Sequence, residues 1–378
     1  MTTLEWGLPV VAKYLFGGLS LGAFATYYLW QGLGVKSFRP LAKLAWISAA
    51  VFGLAIPIPI FSHLGQPGRW YTLLYEFHWT SPMSWAGPIL IAYLVLVLLN
   101  GRFFFYPDVV LAYRTATGMR KRALRLLLIT KPPEGPIPRG SQFGLKVTGA
   151  LAFVFVLSFG YTGLELGILQ SRPLWANPVN PVMFLLTGIF SGMAFVLLLW
   201  MALGGRSEMP AEKGEKTILS SFMLPALLAL FLGLNAVFYL SLAYSSPETQ
   251  QAVAVLATGD LGLLFLVIGL GLGALAPALI LTANAVLAKP RRSLAAVASV
   301  LLLVGAFAQK YGFVVGGQAL AETGGQVPVD LWPTTGEVIE FLAILAFVYF
   351  LFQLALWISP WRVEPKPRPE AAPAEVAS

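Results

Sequence analysis

The chain has no cysteine, only two histidines and few charges: Asp, Glu, Lys and Arg make up 11% of its 378 residues. Each scarcity removes a class of chemistry. Without thiols there is no disulfide, no thiolate-held iron–sulfur cluster and no thioether-linked haem. The two imidazoles, His63 and His78, lie in one short segment, whereas a buried b-type haem takes axial ligands from opposite sides. Haem is therefore not expected in this chain. A soluble domain carries about 25% charged residues, so an ordinary water-soluble enzyme is excluded as well.

What fills the sequence is apolar. Hydrophobic residues make up 57% of it, and the mean hydropathy is +0.76. Apolar runs recur, each of about 20 residues and long enough to cross a hydrocarbon core of about 30 Å. They predict nine helical spans, at 8–32, 41–62, 84–105, 146–169, 180–203, 218–243, 259–286, 293–317 and 335–358. The runs are continuously apolar, whereas barrel strands alternate polar and apolar over about 10 residues. The expected fold is all-α: a polytopic transmembrane helical protein, one domain over 1–358. The start shows no cationic segment or small-residue cleavage site, so the first span reads as a retained helix. The tail 359–378 is rich in Pro, Ala and Glu and is expected to be disordered.

Small residues four apart let helix backbones approach closely. Gly18 and Gly22 in span one, Gly188 and Gly192 in span five, and Gly269 and Gly273 in span seven have this spacing. Its recurrence in spans one and five suggests a duplicated four-helix unit, with halves at 1–170 and 180–317. Two four-helix bundles plus an extra helix would result.

The formal charge is +8, and its distribution is a topology signal with no nucleic-acid partner implied. Lys36, Arg39 and Lys43 follow span one; Arg114, Arg120, Lys121, Arg122, Arg125, Lys131 and Arg139 follow span three. Arg206, Lys213 and Lys216 follow span five, and Lys289, Arg291 and Arg292 follow span seven. Lys and Arg accumulate on the cytoplasmic side, which predicts an N-terminus outside and a C-terminus inside a prokaryotic cytoplasmic membrane. Leu111–Ile129 sets arginines among apolar residues. It reads equally as a basic amphipathic helix on the lipid surface and as an ordinary connection.

Two segments on the opposite side are unusual. In Pro57–Trp85, Pro57 and Pro59 break the end of span two and free backbone carbonyls; His63, Arg69 and a dense set of aromatics follow. In Phe159–Phe184, Tyr161 and Glu165 are one helical turn apart and share a face. Glu165 falls about 6 Å inside the end of span four at 1.5 Å per residue, where a carboxyl group must be protonated, paired or wet. Lys13 enters span one at similar depth, beside Tyr14.

These motifs resemble one family. HLGQPGRW, TSPMSWAG, GYTG, SRPLWANPVNPVMFLLTG and KYGFVVGGQ, with Glu340 after Pro333, look like the NrfD/PsrC family of membrane subunits. The resemblance implies a protein without metal that binds a quinone (menaquinone or ubiquinone) and docks an iron–sulfur electron-transfer subunit. Behind that partner stands a molybdopterin catalytic subunit. Tyr161 matches a quinone-contacting tyrosine, and Lys13 and Tyr14 fall near the quinone-contacting part of span one. His63 stands where many members have an acidic residue, yet a histidine also passes protons near neutral pH. Thr80, Ser81, Pro82 and Trp85 are implied to meet the partner, and Arg69 and Arg172 are assigned to docking with them.

A quinone ring takes up electrons with protons, so its site needs an apolar slot, hydrogen-bond donors and a titratable group leading to water. Tyr161 and Lys13 could donate; His63 and Glu165 could exchange protons. Each has a structural reading beside this one. His63 could end a helix, Glu165 could neutralise Lys13, Tyr161 could belong to an interfacial belt, and Lys13 could snorkel to the interface. Lys310 and Glu340, with Asn235 and Gln309, form either a structural ion pair or a proton route. Two other functions stay open: a quinol-oxidising alternative complex III-type assembly, and a secondary transporter or channel.

Overall fold

The computed structural model describes residues 6–72, 76–129, 135, 137, 141–169, 171–172, 174–203, 218–318 and 331–361. The side chains of His63, Pro82, Tyr161, Glu248, Ala252 and Val255, and the tail from 362 onward, lie outside the described residues. Among the described residues there are nine helices long and apolar enough to cross a membrane, and no strand. They run Leu8–Gln31, Lys36–Ser62, Met83–Phe104, Gln142–Gly167, Asn180–Ala202, Met223–Ala243, Gly259–Val286, Arg292–Gln318 and Thr335–Ile358. These are spans one to nine, in the expected order and within a few residues of the expected bounds.

Proline and capping chemistry set where several helices start. Pro9, Pro82, Pro181 and Pro247 occupy the first turn of their helices, where the missing N–H would have had no partner. Span nine opens with a capping box: Glu337 donates its N–H to the Thr334 hydroxyl at 3.3 Å, and the Thr334 N–H donates to the Glu337 carboxylate at 2.8 Å. In span two the α-helix stops at Ala55 and restarts at Pro57. Ile56 keeps right-handed helical angles, so the prolines interrupt the hydrogen-bond ladder without ending the span.

The packing forms two rings. Spans one, two, three and four each touch the next, and span four returns to span one. Spans five to eight do the same, span eight returning to span five. Spans one and five join the rings, and span nine lies on spans one and two. Span one is the centre of the molecule, with 83% of its most apolar window buried.

The glycine pairs explain that join. Gly18 lies against Gly188, and a Cβ built at Gly18 would sit 3.0 Å from the Gly188 Cα. A Cβ at Gly22 would run into the backbone of Gly188, Ile189 and Gly192. The two glycine pairs expected to mediate contacts thus meet each other. In span seven, Gly273 meets Gly305 of span eight, and Gly269 meets the Gln309 side chain. Span seven also contains a wide π-helical stretch, Leu263–Leu275, a geometry that is usually limited to a single turn.

The rings have a basic end, holding the described parts of the connections after spans one, three and seven, and an opposite end, here the site end. At the basic end, Leu111–Ile129 lies in two helices, Tyr106–Thr115 and Gly118–Leu128, rather than in the single helix of one of its two readings. Thr117 is extended and Gly118 has φ +59°, a conformation that suits glycine and breaks the helix. The second helix buries Leu124 and Leu128 and exposes Met119, Leu126 and Ile129 beside its arginines.

Candidate functional site

The site end of span four is made in two steps. The helix from Gln142 gives way to a tight 3-10 turn, Ser158–Gly160, and then to a short helix, Tyr161–Gly167. Gly163 packs that short helix onto the backbone of Asn180 and Pro181 at the start of span five. This seats Glu165 against span one, with 1% of its side chain exposed.

Lys13 of span one meets it there. Its Nζ lies 2.8 Å from the Glu165 Oε2, and the Tyr14 hydroxyl donates to the same oxygen at 3.4 Å. The ammonium also stands 4.8 Å from the centre of the Tyr14 ring. Both donors converge on one carboxylate oxygen. The other, Oε1, is buried and finds no hydrogen-bond partner among the described residues. Leaving a buried acceptor unpaired costs about 1–3 kcal/mol, more for a charged group. The arrangement therefore offers a desolvated carboxylate oxygen, held in place from one side, to a group that can donate to it.

The loop between spans four and five is pinned from many directions. Trp175 donates its indole N–H to the Phe313 carbonyl at 2.8 Å and stacks on Trp6 at 5.3 Å. The Asn177 amide donates to the Ser241 hydroxyl at 2.8 Å, and the Asn180 amide donates to the Trp175 carbonyl at 2.6 Å. Gln318, ending span eight, accepts from the Trp6 N–H at 3.0 Å and donates to the Trp6 carbonyl at 2.8 Å. Much of SRPLWANPVNP therefore holds spans one, five, six and eight together.

Among the described residues no three His, Asp or Glu side chains gather as a metal ion would require. The family profile described as Polysulphide reductase, NrfD matches residues 1–322. The chain belongs to that family. It is similar to a selenate reductase subunit of Mesobacillus selenatarsenatis, 23% identical over 94% of this chain and 86% of that protein. Protein NrfD of Escherichia coli is 28% identical over 58% of this chain and 71% of its own length. A polysulfide reductase polypeptide of Wolinella succinogenes is 25% identical over 84% and 95%. This NrfD-family protein is thus a multi-pass membrane subunit of the respiratory oxidoreductase type.

The other expected site residues of this NrfD-family protein spread over three places. His63 ends the second helix of span two and Tyr161 opens the short helix of span four; both side chains lie outside the described residues. Arg69 sits in a 3-10 turn and donates to the Gln66 side chain at 3.3 Å. Ser81 occupies the N-cap position of span three without a side-chain capping bond, preceded by Thr80 and followed by Pro82 at the first turn. Trp85 donates to the Trp79 carbonyl at 3.2 Å and forms an aromatic cluster with Phe77 and Trp79, centroids 4.9 to 5.3 Å apart. Trp79 is 76% exposed. Arg172 donates to the Gln318 carbonyl at 3.2 Å, so one of its donors caps span eight.

In the second ring, Lys310 is buried, 3% exposed. Of its two readings, the structural ion pair with Glu340 does not form among the described residues. Lys310 instead reaches Thr187 of span five at 3.4 Å and lies 4.4 Å from the Phe184 ring centre. Its stem ends beside Gly18, where the glycine crossing leaves room. Glu340 is half-buried, its Oε1 without a partner among the described residues. Asn235 donates within its own helix to the Phe231 carbonyl at 2.8 Å. Thr187, Phe184 and Asn180 were missed as neighbours of Lys310. The usable signal was their spacing of three and four along span five, on the helix that carries Gly188.

Proposed function

We propose that this subunit exchanges electrons between the membrane quinone pool and an iron–sulfur partner, with the quinone head seated beside Glu165 at the site end. The observation that carries this reading is the Glu165 carboxylate: buried, held by Lys13 and Tyr14 through one oxygen, and unpaired at the other among the described residues. A quinol hydroxyl is a donor of the right kind for Oε1, and a carboxylate in an apolar site is a general base with little competition from water. Tyr161, at the head of the same short helix, is proposed to donate to the opposite ring oxygen. His63 is proposed to pass protons between the site and water. Menaquinone and ubiquinone share the carbonyl chemistry on which the reading depends.

The charge distribution supports an orientation with the site end outside and the basic end in the cytoplasm. The exposed surface carrying Arg69, Trp79, Thr80, Ser81 and Trp85 is the proposed landing place for the iron–sulfur subunit, with Arg172 at its margin. A molybdopterin subunit would complete the assembly. Relatives named as parts of a polysulfide reductase and a selenate reductase support a multi-subunit assembly. The proposed proton route through Lys310 and Asn235 of the second ring and Glu340 of span nine serves the same chemistry.

Glu165→Gln keeps the shape and both donor contacts while removing the base. Quinol turnover by the intact complex should fall by about 10²-fold or more, the usual worth of a positioned proton-transfer group. Assembly should be retained. Turnover equal to wild type would defeat the reading. Tyr161→Phe should likewise impair turnover and spare assembly, and loss of the whole complex in that variant would make Tyr161 structural.

A further inference from the structure

Lys310 lines a small cavity with Asn180, Gln309, Phe184, Phe265 and Phe313. About 20 Å³ is open there to the centre of a water-sized sphere, which is room for roughly one or two waters. Three of the lining residues are polar, buried and incompletely paired. Lys310 makes its hydrogen bond to Thr187 and has no carboxylate within 4 Å among the described residues. Asn180 has both amide donations directed at backbone carbonyls, of Leu174 and Trp175, which fixes its orientation. Among the described residues its Oδ1 is left without a partner, as is Nε2 of Gln309.

We propose that this cavity binds a water molecule that accepts from Lys310 Nζ and Gln309 Nε2 and donates to Asn180 Oδ1, and that it is the hydrated neighbour of the Glu165 site behind the Phe184 ring. Three hydrogen bonds are what a typical buried water makes. The ammonium disfavours a cation, and the volume excludes a quinone head. Water is also suited to Gln309 in either amide orientation, since it both donates and accepts.

The second part rests on the quinone reading; the first does not. Gly18, beside the end of Lys310, is one turn along span one from Tyr14, about 6 Å of rise. Phe184 stands between the two clusters, edge-on to Tyr14 at 5.6 Å, edge-on to Phe313 at 5.2 Å and under Lys310 at 4.4 Å. The Phe184 ring therefore stands between the hydrated lysine and the carboxylate cluster.

Pulsed X-ray hydroxyl-radical labelling in ¹⁸O-water, read by mass spectrometry on the intact complex, tests the first part. Phe265 and Phe313 line the cavity, whereas Phe190 and Phe231 are equally buried against each other elsewhere. Labelling of the cavity pair should exceed that of the dry pair several-fold and fall to the dry level in Lys310→Met. Equal labelling of the two pairs in wild type, or labelling unmoved by Lys310→Met, overturns the site. Gln309→Leu serves the same purpose should Lys310→Met not assemble. For the second part, Lys310→Met should slow quinol turnover several-fold and change its solvent isotope effect while leaving quinone affinity in place. Unchanged turnover and isotope effect overturn that part alone. Wild-type turnover in Glu165→Gln would instead sink the quinone reading and leave the labelling contrast standing.

Discussion

Two lysines sit within the membrane-spanning helices on either side of Phe184, and the fold treats them in opposite ways. Lys13 keeps 19% of its side chain exposed and is matched to a carboxylate 2.8 Å away. Lys310 is more deeply buried and has a hydroxyl, an aromatic face and a cavity in place of a counter-ion. Ionisable groups in a bilayer are costly and usually pair or face water. The first ring takes the first solution at its site end; the second ring takes the other. A matched pair fixes geometry, whereas an unmatched lysine beside a cavity leaves its end free to exchange partners.

The contrast makes the two lysines unequal under the same substitution. Lys13→Met strands the Glu165 carboxylate, and breaking a buried pair from one side costs about 3–5 kcal/mol. Thermal unfolding of the purified complex should show that loss, and Lys13→Met combined with Glu165→Leu should recover most of it. Equal stability of the single and double variants would mean that the pair is not the binding element. Next in size, Gly22→Val forces a side chain into the backbone of span five, and overpacking of this kind costs about 1–3 kcal/mol. Protease resistance of both rings should drop together, because the glycine crossing joins them.

Lys310→Met should be milder. It strands no opposite charge, and a volume-conserving apolar swap costs less than about 1.5 kcal/mol. A destabilisation as large as that of Lys13→Met would erase the distinction between the two sites. Smallest is Thr187→Val, which removes a hydrogen bond between helices that averages about 0.6 kcal/mol in membranes. An effect above that of Lys310→Met would show Thr187 acting through its bonds to the Met183 and Phe184 carbonyls.

The spans were legible because a bilayer demands about 20 apolar residues and little else satisfies that demand. The Lys13–Glu165 pair was legible as one of two readings, since both residues enter at similar depth from the same end. Of the two readings of Lys310, the pairing with Glu340 rested on depth alone, and the side chain turns elsewhere. Span nine meets span eight through Phe341 on Phe307, centroids 5.7 Å apart, and Glu340 is about 100° around the helix from Phe341. Lys310 turns to span five because Gly18, at its crossing with Gly188, leaves space for its end. That space exists only once spans one and five have crossed, a tertiary fact that no local spacing encodes. The break at Thr117–Gly118 is the reverse case: a glycine before a basic run signalled it, and amphipathic periodicity masked it.

The central position of span one has a consequence for synthesis. Lys13 emerges 152 residues before Glu165, and Trp6 emerges 312 residues before Gln318, which holds both its backbone groups. At about 5–20 residues per second, the first helix waits roughly 8–30 s for its carboxylate and about twice that for its clasp. During that interval a lone ammonium must be sheltered by lipid headgroups, the insertion machinery or water. The earliest of these nine helices is thus among the last of them to be locked in, and the Trp6–Gln318 clasp marks the moment when its wait ends.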